Sequence, residues 1–180
     1  MCIESFTIVD FSVADREILS FLQEKLPQIF GIDVGKVVSA TLQPQWFDAQ
    51  RGQYRAASLL RTLIPFAMPN SIVLGVTDKD IFEDGLNFVF GIASPVAHVA
   101  LISTARLSNG FYGLPKDRAL FLRRVLTEAD HEIGHAFGLG HCPNPHCVMH
   151  FSNTLADTDA KGYRFCERCW SQIAPKLCRG

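Results

Sequence analysis

The chain has 180 residues, 48% of them apolar, enough for one globular domain whose core needs no disulfide scaffold. Its 17 Lys and Arg nearly balance 18 Asp and Glu, which argues against a nucleic-acid binder acting through bulk charge and against a polybasic membrane anchor. No apolar run is long enough to span a bilayer.

The first residues, Met1-Cys2-Ile3-Glu4-Ser5-Phe6, carry no basic stretch, and the first apolar run ends at Asp10. No secretory signal is expected, and the expected compartment is the cytoplasm, where thiols and zinc thiolates persist. Neither a nucleic-acid nor a membrane partner is expected, and a monomer is favoured.

Residues 3–9 are rich in β-formers and predict a strand. Val13, Ile18, Phe21, Leu22 and Leu26 have helical spacing, with Pro27 as the stop. A second strand is predicted over 36–42, a helix over 53–63, and strands over 72–76 and 87–93 around the acidic loop 78–85. Residues 97–104 form the last strand pattern. They are a candidate exposed edge for an extended peptide, although the apolar run Val96–Ile102 equally suits a buried strand. His98 within it reads as a core histidine.

Pro115 precedes a long helical pattern to about Phe137, with one apolar stripe from Phe121 to Phe137. Arg118, Arg123 and Arg124 read as its exposed polar face. Beyond Gly138, strand patterns vanish and Cys, His and Pro become dense. The division expected is an α/β part over 1–138 and an irregular, metal-held part over 139–180. Strands alternating with helices favour a mixed sheet packed against helices.

The segment His131-Glu132-Ile133-Gly134-His135-Ala136-Phe137-Gly138-Leu139-Gly140-His141 carries the chemistry. His131 and His135 stand four apart on one helix face and can reach one metal ion. Glu132 is placed to contact a metal-bound water without ligating the metal. Gly138 can take the left-handed conformation that ends a helix in a sharp turn, returning His141 as a third ligand. Three neutral imidazoles leave a tetrahedral zinc one position for water, the pattern of a catalytic site.

Cys142, Cys147, Cys166 and Cys169 have spacings suited to a second zinc. Four thiolates would close its coordination shell, making it structural. Reduced core cysteines, or His146 or His150 in place of one sulfur, are the alternatives. A redox role for Cys166 and Cys169 lacks the preceding thioredoxin-like strand. Cys2 and Cys178 have no assigned role. Met149 follows the third histidine and in that is similar to the methionine turn of metzincins, a resemblance that implies a flexible thioether packed beneath the imidazoles; taken alone it reads as plain core. Tyr163 or His150 could polarise an oxyanion, although both read better as packing residues, and Glu128 could hydrogen-bond an imidazole, although a solvated helix face is its default reading.

The run from His131 to Cys169 resembles the archaemetzincin family of metzincin zinc peptidases. The shared features are the three histidines, the glutamate, Cys142, the four-residue gap to Cys147, Met149 and the final Cys-x-x-Cys. Sixteen residues separate Met149 from Cys166, one fewer than the family's usual pattern, a difference that a loop absorbs. The resemblance covers about 40 residues of the chain. It implies a single metallopeptidase domain over 1–180 with a twisted mixed sheet, helices above it, an active-site helix below and a small zinc-bound C-terminal subdomain. It further implies a catalytic zinc on His131, His135 and His141, Glu132 as general base, and a structural zinc on Cys142, Cys147, Cys166 and Cys169. The expected activity is hydrolysis of peptide or protein substrates. The alternatives are a catalytically silent peptide-binding module of the same fold and, on the cysteines alone, a zinc-ribbon nucleic-acid binder that the neutral charge disfavours.

Overall fold

The structure, a computed structural model, describes residues 2–178. In chain order the elements are β1 (Ser5–Asp10), α1 (Glu17–Phe30), β2 (Asp33–Ser39), β3 (Phe47–Asp48), β4 (Gln53–Arg55), α2 (Ala56–Leu63), β5 (Ser71–Thr77), β6 (Ile81–Phe82), β7 (Gly91–Ser94), β8 (Val99–Ser103), α3 (Arg118–Ala136), α4 (Leu155–Lys161) and α5 (Glu167–Ile173). The main sheet runs β2-β1-β5-β8-β7. Its first four strands are parallel, and β7 pairs antiparallel with β8 as an edge. A small sheet β3-β4-β6 lies beside it.

Strand alternation sorts the core into two layers. Phe6, Ile8, Ile72, Leu74, Val76, Ala100 and Ile102 face α1 and α3, whereas Val9, Val73, Val99 and Leu101 face α2. The central strand β5 is buried along its whole length, as a parallel strand covered on both faces must be. Gly75 sits where a side chain would meet Leu63 and Leu101 at about 3.0 Å, so its lack of a Cβ lets α2 lie close on the sheet.

Several sequence expectations shift. The first helix runs through Pro27 to Phe30, ending on Gly31 at φ 71°, because Phe30 is buried against Phe6 and Phe137. The predicted helix over 53–63 begins as strand β4. The strand expected over 87–93 is confined to Gly91–Ser94, and the acidic loop contains β6. The segment 97–104 is not an edge, since β8 lies between β5 and β7 with all five residues buried. His98 occupies the turn before β8 at φ 52°, half-buried, with Nδ1 3.3 Å from the Ala136 carbonyl. Helix α1 shares its sheet face with α3 instead of lying opposite it.

Arg124 is buried rather than solvated. It makes paired 2.7 Å bonds to Asp159 and also holds the Leu107 carbonyl and the Asn109 side chain. The C-terminal stretch holds two short helices, so it is less irregular than its composition implies. Val148, Met149, Ile173 and Leu177 belong to the same apolar cluster as α1 and α3. Cys2 and Cys178, spare in the sequence, are joined as a disulfide that closes the ends beside the Ile3–Leu177 bridge.

Candidate active site

Helix α3 starts on Asp117, whose side chain accepts from the Leu120 amide at 2.9 Å. It ends in a turn where the Gly138 and Leu139 amides donate back to the carbonyls of His135 and Gly134. Gly138 sits at φ 93°, a conformation that costs an L side chain strain, and a Cβ there would meet nothing nearer than Lys176 Nζ at 3.8 Å. The glycine is therefore demanded by the backbone and not by crowding. Lys176 Nζ donates to the Phe137 carbonyl at 2.6 Å, satisfying one acceptor at the helix end.

This turn brings His141 to His131 and His135. Ring centroids lie 4.6 Å apart for His131–His135, 4.9 Å for His135–His141 and 5.5 Å for His131–His141. One nitrogen from each ring lies within 4.8 Å of the others. His131 Nδ1–H donates to the Val148 carbonyl and His135 Nδ1–H to the Leu139 carbonyl, each at 2.7 Å, which aims both Nε2 atoms inward. Zinc–nitrogen bonds of about 2.0–2.1 Å in a tetrahedron separate ligand nitrogens by roughly 3.3 Å. The His131 and His135 Nε2 atoms stand 3.1 Å apart, so the donor set fits.

Burial lowers the His131 ring's proton affinity well below the usual imidazole range, with the Lys161 ammonium adding to it. Burial also lowers His135 and His141. Rings that stay neutral are rings able to ligate. Glu132 is buried beside them, and burial followed by repulsion from Glu128 pushes its carboxyl well above the usual range, against the pull of Lys161.

The four sulfurs of Cys142, Cys147, Cys166 and Cys169 also gather within 4.8 Å. Cys142 Sγ and Cys166 Sγ are 3.8 Å apart, matching the roughly 3.8 Å edge of a tetrahedron with 2.3 Å zinc–sulfur bonds. Burial alone would raise the Cys166 thiol, but bonds from the Cys169 amide and the neighbouring thiols outweigh it and bring it to about 7. Neither His146 nor His150 joins this cluster. His150 Nδ1 instead bonds the Cys142 carbonyl at 2.8 Å.

Met149 is fully buried, and a Cβ on Gly134 would run into its sulfur and the Phe165 ring. The thioether thus lies directly under the ligand-bearing helix. A cleft of about 700 Å³ opens in front, lined by β7, by Glu128, His131, Glu132 and His135, and by Phe151, Ser152 and Asn153. Tyr163 lines a different groove, between α1 and α3. Glu128 accepts from Thr158 at 2.9 Å and faces Lys161, so it is neither solvated nor bonded to an imidazole.

Two contributors escaped sequence reasoning. At Gly91 on β7 a Cβ would fall 2.6 Å from Glu132 Cγ and from the Leu101 carbonyl, so the bare strand makes room for the carboxylate. Lys161, which the sequence does not single out, is buried in the cleft wall. No local pattern announces either, although an isolated glycine within a strand pattern is itself a sign of close approach.

Converging imidazoles beside a buried carboxylate, at the mouth of a groove bordered by a sheet edge, define the class as a zinc metallopeptidase. The sequence matches peptidase family M54 over residues 2–175, and the chain belongs to that family. It is 44% identical over 173 residues to the archaemetzincin of Pyrococcus horikoshii, covering 92% of each chain. The crystal structure of the Methanopyrus kandleri archaemetzincin superposes with TM-score 0.84 at 37% identity, over 97% of this chain and 95% of that one. A zinc-dependent peptidase from Methanocorpusculum labreanum superposes with TM-score 0.83 at 32% identity, over 94% and 99%. Among the described residues, no helix is long and apolar enough to cross a membrane.

Proposed function

We propose that this chain hydrolyses peptide bonds with zinc held by His131, His135 and His141, and with Glu132 as general base. Cys142, Cys147, Cys166 and Cys169 would hold a second zinc, and their four thiolates would close its shell and pin the segment after Gly138 as a structural C-terminal subdomain. The observation that carries this reading is the convergence of three imidazoles, two of them aimed by backbone carbonyls, beside the buried Glu132 carboxylate.

When bound, zinc supplies Lewis acidity that activates water and polarises the scissile carbonyl. Glu132 takes the proton from the attacking water and delivers it to the departing amine, a task helped by a carboxyl whose proton affinity burial has raised. The edge strand β7 offers unpaired backbone groups along the cleft, to which an extended peptide can pair. Gly91 keeps that strand close to Glu132.

Replacing Glu132 with Gln preserves size and removes the base. The variant is expected to hold two zinc ions per chain by elemental analysis and to lose cleavage of a mixed peptide library by at least about a hundredfold. Cleavage at the parent rate would overturn the assignment. A parent protein with two zinc ions that binds peptides without turnover would instead be a peptide-binding module.

A further inference from the structure

Lys161 closes helix α4, but its side chain is only 1% exposed, and it lies in the cleft wall with Glu128, His131 and Glu132. An ammonium withdrawn from water is strongly disfavoured unless charge and hydrogen-bond acceptors replace its hydration. Glu128 supplies charge at 3.8 Å, beyond hydrogen-bond reach, and that same oxygen already accepts from Thr158 at 2.9 Å. His131 Nδ1 stands 3.2 Å away but spends its proton on the Val148 carbonyl, so it offers the ammonium no lone pair. The acceptor that remains is the His150 carbonyl at 3.2 Å.

His150 is the root of the cleft wall. Its amide donates to the Cys147 carbonyl and its ring bonds the Cys142 carbonyl, both at 2.8 Å. The next ring, Phe151, lies 4.9 Å from His141, and residues 151–153 border the cleft. The far end of the wall is pinned by Asp157, which accepts from the Asn153 and Thr154 amides at 3.1 and 2.9 Å. Between those pins, the Ser152 hydroxyl is buried without a partner among the described residues. Lys161 ties this wall to α4 through the His150 carbonyl, and α4 is fastened to the ligand-bearing helix by the Thr158–Glu128 and Arg124–Asp159 bonds, beside the His131–Val148 bond upstream of the wall.

We infer that Lys161 is a positioning residue of the peptidase. Balanced in charge by Glu128 on α3 and bonded to the His150 carbonyl, it sets the distance between the wall 150–153 and the helix carrying His131 and Glu132. That distance decides how tightly a peptide residue flanking the scissile bond is gripped. The effect on substrate rests on the peptidase reading above, whereas the effect on the wall does not.

Two roles for the lysine, compensating Glu128 and holding the wall, are separable. Lys161→Met alone leaves the Glu128 carboxylate buried without its counter-charge and loses stability on either account. Adding Glu128→Gln removes that charge and keeps an oxygen for Thr158. The zinc-loaded double variant is expected to melt close to the parent and to keep both zinc ions. Its amides at 150–153 exchange at least about tenfold faster, and KM for a mixed decapeptide pool rises at least about fivefold with kcat within about twofold. Glu128→Gln alone keeps the His150 bond and is expected to leave exchange at 150–153 at the parent level. Parent-like protection in the double variant, or an equal loosening in Glu128→Gln alone, would show that Lys161 merely balances a charge. Absence of turnover in the parent would defeat the peptidase reading and leave the exchange measurement to decide on Lys161.

Discussion

Valine at position 138 isolates the backbone requirement of the metal-site turn. Gly138 holds φ 93°, and because the nearest atom to an added Cβ is Lys176 Nζ at 3.8 Å, no steric clash accompanies the change. The cost is conformational: about 1–2 kcal/mol for an ordinary L residue forced into the left-handed region, and about 3 kcal/mol for a β-branched one. The chain meets this cost either by retaining the strained turn or by relaxing it and displacing His141, three residues on. Since 1.4 kcal/mol is a factor of ten, relaxation weakens zinc at the imidazole site by roughly a hundredfold in Gly138→Val and roughly tenfold in Gly138→Ala. Gly138→Asn, which tolerates this conformation, is expected to lose least. Competition with a graded set of chelators reads the imidazole site, and the thiolate site in the same molecule serves as the internal reference. Equal loss of both metals, or the order Asn, Ala, Val reversed, would refute the reasoning.

Other outcomes follow from single contacts. Gly91→Ala places a Cβ 2.6 Å from Glu132 Cγ, so turnover is expected to fall by about a hundredfold while elemental analysis still finds both metals; unchanged turnover would mean that the carboxylate has room to spare. Gly134→Ala drives a methyl into the Met149 sulfur, and chemical denaturation should register a loss of about 1–3 kcal/mol. A gain from better helix propensity alone would argue that Met149 moves aside freely. The Cys2–Cys178 disulfide spans 176 residues of chain. Serine at both positions should lower the melting temperature by roughly 5–15 °C, equivalent to about 2–4 kcal/mol. An unaltered melt would indicate that the Ile3–Leu177 bridge suffices to hold the ends.

The candidate site was legible in outline because its parts are close in sequence. The helical repeat alone sets His131 and His135 on one face, and chain connectivity after a glycine turn limits where His141 can go. The long helix was placed to within two residues at each end, since Asp117 and Gly138 mark its limits through local hydrogen bonding and backbone freedom. Pro27 misled because its ring was weighed as a stop, whereas burial of Phe30 carries the helix one turn further. The edge strand misled for the opposite reason: the run 99–103 is apolar on account of being covered on both faces, and the true edge is the less buried β7.

Residue types and short spacings alone determined which atoms could ligate metal and which helix would carry them, because donor chemistry and helical period are properties of a few consecutive residues. The tertiary structure decided that Lys161 and Glu128 face each other out of water, that Gly91 clears space for Glu132, and that Cys2 meets Cys178. Each of these pairs joins residues 33 to 176 apart along the chain. A lysine, a glycine or a terminal cysteine has the same appearance in sequence whether solvated or packed, and only folding brings it the neighbour that gives it a role.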